Sequence, residues 1–166
     1  MARALFIGRF QPFHNGHLHD IMAILKIYDE IIIAIGSSQE KNTLENPFSY
    51  NERKQMIENV LRKNKINNFK IYSIPDLYND VKWVNYILKN LPKFDALYSG
   101  NDWTIRCFRK HNIKAKKLKL INGINSTKIR KLIKENKNWQ KFVPKEVFEF
   151  IEKIKGAERI KKAYKF

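Results

Sequence analysis

Short apolar runs alternate with segments of helical period along the chain, and that alternation leaves few folds open. Runs at 4–7, 30–35, 70–74, 95–98 and 117–120 read as strands. A strand followed by a helix and another strand requires a crossover, which sets strands parallel in one sheet with helices over its faces. The expected helices are 17–26, one starting at 49–52, then about 81–90, 102–110, 126–135 and 144–154. The first carries an apolar stripe of Leu18, Ile21, Met22 and Leu25, the ordinary mark of a core face. Ser49-Tyr50-Asn51-Glu52 has capping-box spacing and opens a helix with Met56, Ile57, Val60 and Leu61 inward. Pro144 suits a first helical turn, where its missing N–H is not needed.

The reading is therefore an α/β fold, a doubly wound parallel sheet of about five strands with flanking helices. A length of 166 residues suits one domain, 1–166, with C-terminal helices at about 144–163 packed on it. No apolar stretch approaches the roughly 20 residues that cross a bilayer, and no leader pattern stands at the N-terminus. A soluble, cytoplasmic protein is expected. Cys107 is the one cysteine, which excludes an intrachain disulfide and a Cys-based zinc site within one subunit.

In such a sheet ligands lie beyond the C-terminal strand ends. Gly8, Gly36 and Tyr98-Ser99-Gly100 fall at those ends. The richest is Gly8-Arg9-Phe10-Gln11-Pro12-Phe13-His14-Asn15-Gly16-His17, where a strand gives way to a helix. Unpaired N–H groups at a helix start, with the macrodipole behind them, attract phosphate. Arg9 adds a planar fork that pairs with a phosphoryl group. His14 and His17 stand at i and i+3 with a Gly between them. Zinc-binding HExxH needs i and i+4, so metal ligation is the weaker reading of this pair.

The segment resembles the G-x-F-x-P-x-H-x-G-H signature of the HxGH nucleotidyltransferases, and its GRFQPFHxGH form is similar to that of the archaeal nicotinamide mononucleotide (NMN) adenylyltransferases. The likeness runs on in chain order. It takes in Ser37-Ser38-Gln39, Thr43-Leu44-Glu45-Asn46-Pro47-Phe48 and Asn51-Glu52-Arg53, then Tyr98-Ser99-Gly100-Asn101. Ser126-Thr127-Lys128-Ile129-Arg130 resembles the second signature, and Ile154-Lys155-Gly156-Ala157-Glu158-Arg159 the C-terminal helix.

That resemblance implies a Rossmann-like fold and transfer of AMP from ATP to NMN, giving NAD and pyrophosphate. It implies that His14 and His17 bind the triphosphate, with His17 donating to the α-phosphate, and that Arg9 holds phosphate while Gly8 and Phe10 present backbone. Ser126, Thr127 and Arg130 would meet the β- and γ-phosphates, Asn101 would lie near the adenosine, and Trp83 would stack on the nicotinamide ring. Mg2+ would accompany ATP, and a homo-oligomer, a hexamer in the archaeal family, is implied. The chain departs from the pattern at Asn125, where a small residue is usual, and at Ser126, where archaeal relatives tend to have Gly.

Each element also has an ordinary reading. Ser126 and Thr127 resemble plain N-cap residues, and Trp83 a helix core residue. Trp103 and Trp139 are read as structural. The absence of a Walker A loop, a nucleophile elbow and a carboxylate dyad at hydrolase spacing fits a reaction whose nucleophile is already an anion. Phosphopantetheine or FMN as acceptor remains open beside NMN, as those enzymes share the first signature. Net charge of +17, from 33 basic and 16 acidic residues, leaves nucleic-acid binding as a reading from another class. The basic residues are scattered, and a Lys-, Asn- and Ile-rich composition accounts for them, so neither a nucleic acid nor a membrane is the expected partner. Lys153, Lys155, Arg159, Lys161, Lys162 and Lys165 form a basic tail that is a second candidate phosphate-binding face.

Overall fold

A computed structural model describes residues 1–165. The chain resolves into two compact units, each assembled from separate segments. The first takes residues 1–8, 20–38 and 68–119, and the second residues 9–19, 39–67 and those from 120 on.

The first unit holds the sheet. β1 (Arg3–Gly8), β2 (Glu30–Ile35), β3 (Phe69–Ser73), β4 (Ala96–Ser99) and β5 (Ala115–Lys117) pair in the order β3-β2-β1-β4-β5, all parallel. The chain winds from β1 to one edge and restarts at β4 on the other side of β1. The topological switch therefore lies between β1 and β4, where Phe6 pairs with Tyr98. β2 reads Glu-Ile-Ile-Ile-Ala-Ile because its interior is buried on both faces, which suits apolar residues at every position. On one face Leu5, Ile7, Ile32, Ala34 and Leu97 meet α3 (Asp80–Asn90) and α4 (Asp102–Lys110) through Trp83, Val84, Ile87, Ile105 and Phe108.

The second unit is helical: α2 (Tyr50–Lys63), α5 (Ser126–Lys134), α6 (Lys145–Lys153) and α7 (Gly156–Ala163), with a 3-10 turn at Gln140–Phe142. α1 (Asn15–Leu25) begins in this unit and ends in the first. Within the helical unit α2 packs on α6, and α5 and α6 on α7. The capping box of α2 forms as its spacing predicts, Ser49 Oγ accepting from Glu52 N–H and Glu52 accepting from Ser49 N–H. Arg159 of α7 closes on it bidentately, Nη1 and Nη2 lying 2.8 and 2.9 Å from the Glu52 carboxylate, and Nη1 also donates to the Pro47 carbonyl. Burial pushes the Glu52 carboxyl up, but hydrogen bonds from Arg159 and Ser49 outweigh it and hold the group below its ordinary range. Gly156 starts α7 because a Cβ there would sit 2.7 Å from Phe48 Cε1 and 3.1 Å from Ile151 Cγ2.

Most bounds differ from expectation by a residue, and the larger differences have physical reasons. The last strand lies at Ala115–Lys117 and not at 117–120, because β4 ends at Ser99, whose carbonyl takes the last ladder bond from Leu118 N–H. α1 starts at Asn15, two residues before the expected 17, because His14 caps it. Its buried apolar side chains are Ile21 and Ile24, whereas Met22 of the expected stripe is exposed. Pro144 occupies the N-cap of α6 and not its first turn. Among the described residues no helix is long and apolar enough to cross a membrane.

Candidate active site

Most of the candidate residues, Arg9, Phe10, His14, His17, Ser126, Thr127 and Arg130, fall in the helical unit. His14 stands just before α1, and its carbonyl accepts the Leu18 N–H. Its own N–H donates to His17 Nδ1 at 3.2 Å, and the His17 N–H donates to His14 Nδ1 at 3.3 Å. This is a capping box with imidazoles in place of hydroxyl and carboxylate, and it explains the i, i+3 spacing. An Nδ1 that accepts leaves the proton of a neutral ring on Nε2, so both rings become Nε2–H donors. The rings stack with centroids 3.5 Å apart and planes 20° from parallel. Gly16 permits the fold-back, since a Cβ there would lie 3.0 Å from Cε1 and Nδ1 of His14.

Burial brings the His14 pKa down from 6.5 to about 4, and burial followed by the His14 charge holds His17 well below 6.5. Near neutral pH the pair therefore donates hydrogen bonds without carrying charge. A folded-state pKa below the unfolded one means that the unfolded chain takes up protons first as pH falls. Stability from His14 is complete above about pH 6.5 and drains away toward pH 4, a loss of about 2 kcal/mol at pH 5. Melting temperature followed from pH 7 to 4.5 should fall more steeply for the natural protein than for His14→Asn. Equal slopes would contradict the shift.

Three carbonyls of the loop before α1 are taken by side chains of the same unit. Arg9 O accepts from Arg53 Nη1 (2.8 Å), Gln11 O from Arg130 Nη1 (2.9 Å) and Pro12 O from Ser126 Oγ (2.9 Å). Oxygens that would repel an anion are thus turned to protein donors. Gln11 is buried, its amide pairing both ways with the Phe48 backbone at 2.9 Å. Phe10 has φ +53, a conformation costly for a residue with a side chain, and its buried ring packs edge-on to His17 at 4.7 Å. Arg9 is exposed and 3.6 Å from Glu45.

Asn125, and neither Ser126 nor Thr127, is the N-cap of α5, its Oδ1 accepting from Lys128 N–H. The plain capping reading of those two hydroxyls thereby falls away. Thr127 is exposed, with Oγ1 3.4 Å from Arg130 Nη2. Arg130 is 4% exposed and its Nε has no hydrogen-bond partner among the described residues. Burial is the chief cause lowering its pKa.

Gly8, Trp83 and Asn101 belong to the sheet unit. Gly8 ends β1, its carbonyl accepting from Gly36 N–H. Asn101 caps α4, its Oδ1 accepting from Trp103 and Thr104 N–H. Trp83 is 4% exposed in the core beside Val84, Ile87 and Phe108. Its ring meets Trp103 at 4.7 Å, and Trp103, read from sequence as structural, is 39% exposed with Nε1–H on Asp80. Gln11 and Arg53 were not singled out from sequence as site residues. A cation among Met56, Ile57, Val60 and Leu61 on one helical stripe was the available signal for Arg53. Among the described residues no three or more His, Cys, Asp or Glu side chains gather to hold a metal ion.

Residues 5–132 match the model of the cytidylyltransferase-like family. Over 165 residues, 97% of this chain and 96% of the other, the sequence is 41% identical to the nicotinamide-nucleotide adenylyltransferase of Saccharolobus solfataricus. The enzyme of that name from Methanococcus aeolicus is 43% identical over 164 residues, covering 96% of this chain and 94% of the other. Among solved structures, a bifunctional NMN adenylyltransferase/ADP ribose pyrophosphatase from Francisella tularensis, complexed with AMP and a Mn ion, superposes with a TM-score of 0.79 at 28% identity. That match covers 98% of this chain and 51% of the other, so this chain spans about half the length of the bifunctional one.

Proposed function

Because this chain belongs to the cytidylyltransferase-like family, alongside the archaeal nicotinamide-nucleotide adenylyltransferases, we infer that it transfers AMP from ATP to NMN, giving NAD and pyrophosphate. The observation that carries the reading is the reciprocal His14–His17 box, two neutral Nε2–H donors beside a loop whose carbonyls are turned away.

In this reaction an oxygen of the NMN phosphate forms a bond to the α-phosphorus of ATP, and the bond from that phosphorus to the α,β-bridging oxygen breaks, leaving pyrophosphate. The attacking oxygen is already anionic, so no general base is needed, and positioning with charge stabilisation does the work. His17 Nε2–H donates to an α-phosphate oxygen as charge gathers there, and His14 donates to the triphosphate. Arg9 and the backbone at Gly8 and Phe10 hold phosphate. The N–H groups of Ser126 and Thr127 and the Thr127 hydroxyl meet the β- and γ-phosphates with Arg130. The Ser126 hydroxyl is held by Pro12 O, which narrows its part to the backbone. Asn101 acts near the adenosine while capping α4.

The Francisella structure, complexed with AMP and a Mn ion, supports a divalent metal. Mg2+ carried on phosphate oxygens fits this chain, because such an ion needs few protein carboxylates. It supplies charge neutralisation when bound. A homo-oligomer, a hexamer in the resembled family, is the expected state, and sedimentation tests it.

Purified protein given ATP with NMN, nicotinate mononucleotide, phosphopantetheine or FMN tests the reaction by product. NAD from NMN as the dominant product supports it, and turnover of only another acceptor sinks it. Salt-sensitive oligonucleotide binding without ATP turnover would favour a nucleic-acid protein.

Trp83 is proposed to stack on the cationic pyridinium. Because it also packs in the core, Trp83→Phe is the informative variant. Its KM for NMN should rise severalfold, a loss on the order of 1 kcal/mol, with KM for ATP unchanged. Equal damage to both substrates with a large fall in melting temperature would make Trp83 a core residue alone.

A further inference from the structure

We propose that Arg53 is a positioning residue for the phosphate-binding loop, acting through the Arg9 carbonyl. The inference rests on the reading above that the backbone at Phe10 faces phosphate.

Arg53 lies on the inward stripe of α2 and is fully buried. A cation at such a position is expensive unless its donors are used, and an apolar residue would fill the stripe at less cost. Its Nε donates to Ser49 O at 3.2 Å and its Nη1 to Arg9 O at 2.8 Å. The guanidinium therefore ties the first turn of α2 to the loop that opens the first signature. That turn is rigid in its own right, locked by the Ser49–Glu52 box and by Arg159 on Glu52.

A trans peptide is planar, and its C=O and N–H point in opposite directions. Fixing Arg9 O toward Arg53 points the Phe10 N–H in the opposite direction within the same plane. Of the three donors that hold the loop carbonyls, Ser126 and Arg130 belong to the second signature and are assigned to phosphate. Arg53 has no such assignment. Its part toward phosphate is to set the Arg9–Phe10 peptide, where Phe10 is held at φ +53.

The test uses Arg53→Lys, which keeps the charge but cannot span both carbonyls, and Arg53→Met, which keeps the stripe apolar. Melting temperature, ATP binding by calorimetry, and kcat and KM for ATP and NMN are measured on each. Weakening of ATP binding by about tenfold in a folded variant, with KM for NMN within about twofold of the natural value, is the expected result. Natural ATP affinity and kcat in folded Arg53→Lys would overturn the proposal. So would loss of ATP and NMN affinity together in step with melting temperature, or failure of both variants to fold, since either makes Arg53 purely structural. Calorimetry needs no acceptor. If the natural protein binds ATP but makes no NAD, the proposed reaction fails while the Arg53 arm still decides.

Discussion

His17→Ala should fold, bind ATP nearly as the natural protein does, and lose a hundredfold or more in kcat. A donor aimed at charge that develops in the transition state is typically worth about 3 kcal/mol. Two effects are combined in that variant, because His17 Nδ1 also accepts the His14 N–H, and a lost cap costs about 1 kcal/mol of stability. His17→Asn separates them. Its side-chain oxygen can take over the capping bond, whereas its amide lacks the reach to put a donor where Nε2–H stood. Stability should return in His17→Asn while kcat stays low. A natural kcat in folded His17→Ala would reject the assignment.

The sheet was legible because its strands carry their own signal. In β2, apolar residues at every interior position mean burial on both faces, and Ser49 with Glu52 marks the start of α2 whatever packs around it. β5 was misplaced for the opposite reason: its extent depends on where β4 stops offering a carbonyl, which 114–120 cannot reveal. In the site, the spacing of His14 and His17 argued against zinc, and the structure supplies the positive cause, a box that needs N-cap and N3. Asn125 shows how a departure from a family pattern is absorbed. It caps α5 itself, and Ser126 Oγ donates to Pro12 O. The partners of Gln11 and Arg53 were out of reach, since a buried polar side chain declares itself only by the distant backbone it serves. Phe48 is 37 residues from Gln11 and Arg9 is 44 from Arg53.

Arg130→Lys should damage ATP binding and turnover together, lowering kcat/KM for ATP by about a hundredfold. The guanidinium is buried with one nitrogen on Gln11 O, another 3.4 Å from Thr127 Oγ1, and Nε without a partner among the described residues. A planar fork can keep the loop carbonyl and still present N–H groups to a phosphoryl oxygen. A lysine ammonium is a single point and must give up one task. Hydrogen bonds involving a charged group contribute about 1.5–3 kcal/mol each, so losing one accounts for the expected fall. Inorganic tripolyphosphate supplies a readout free of the acceptor. It should raise the melting temperature of the natural protein, and of Arg130→Lys much less, while Arg130→Met, which removes the charge, should respond least. If KM for ATP, kcat and the tripolyphosphate shift all remain natural in Arg130→Lys, bidentate phosphate binding at this position is wrong, and the buried guanidinium serves only the Gln11 carbonyl.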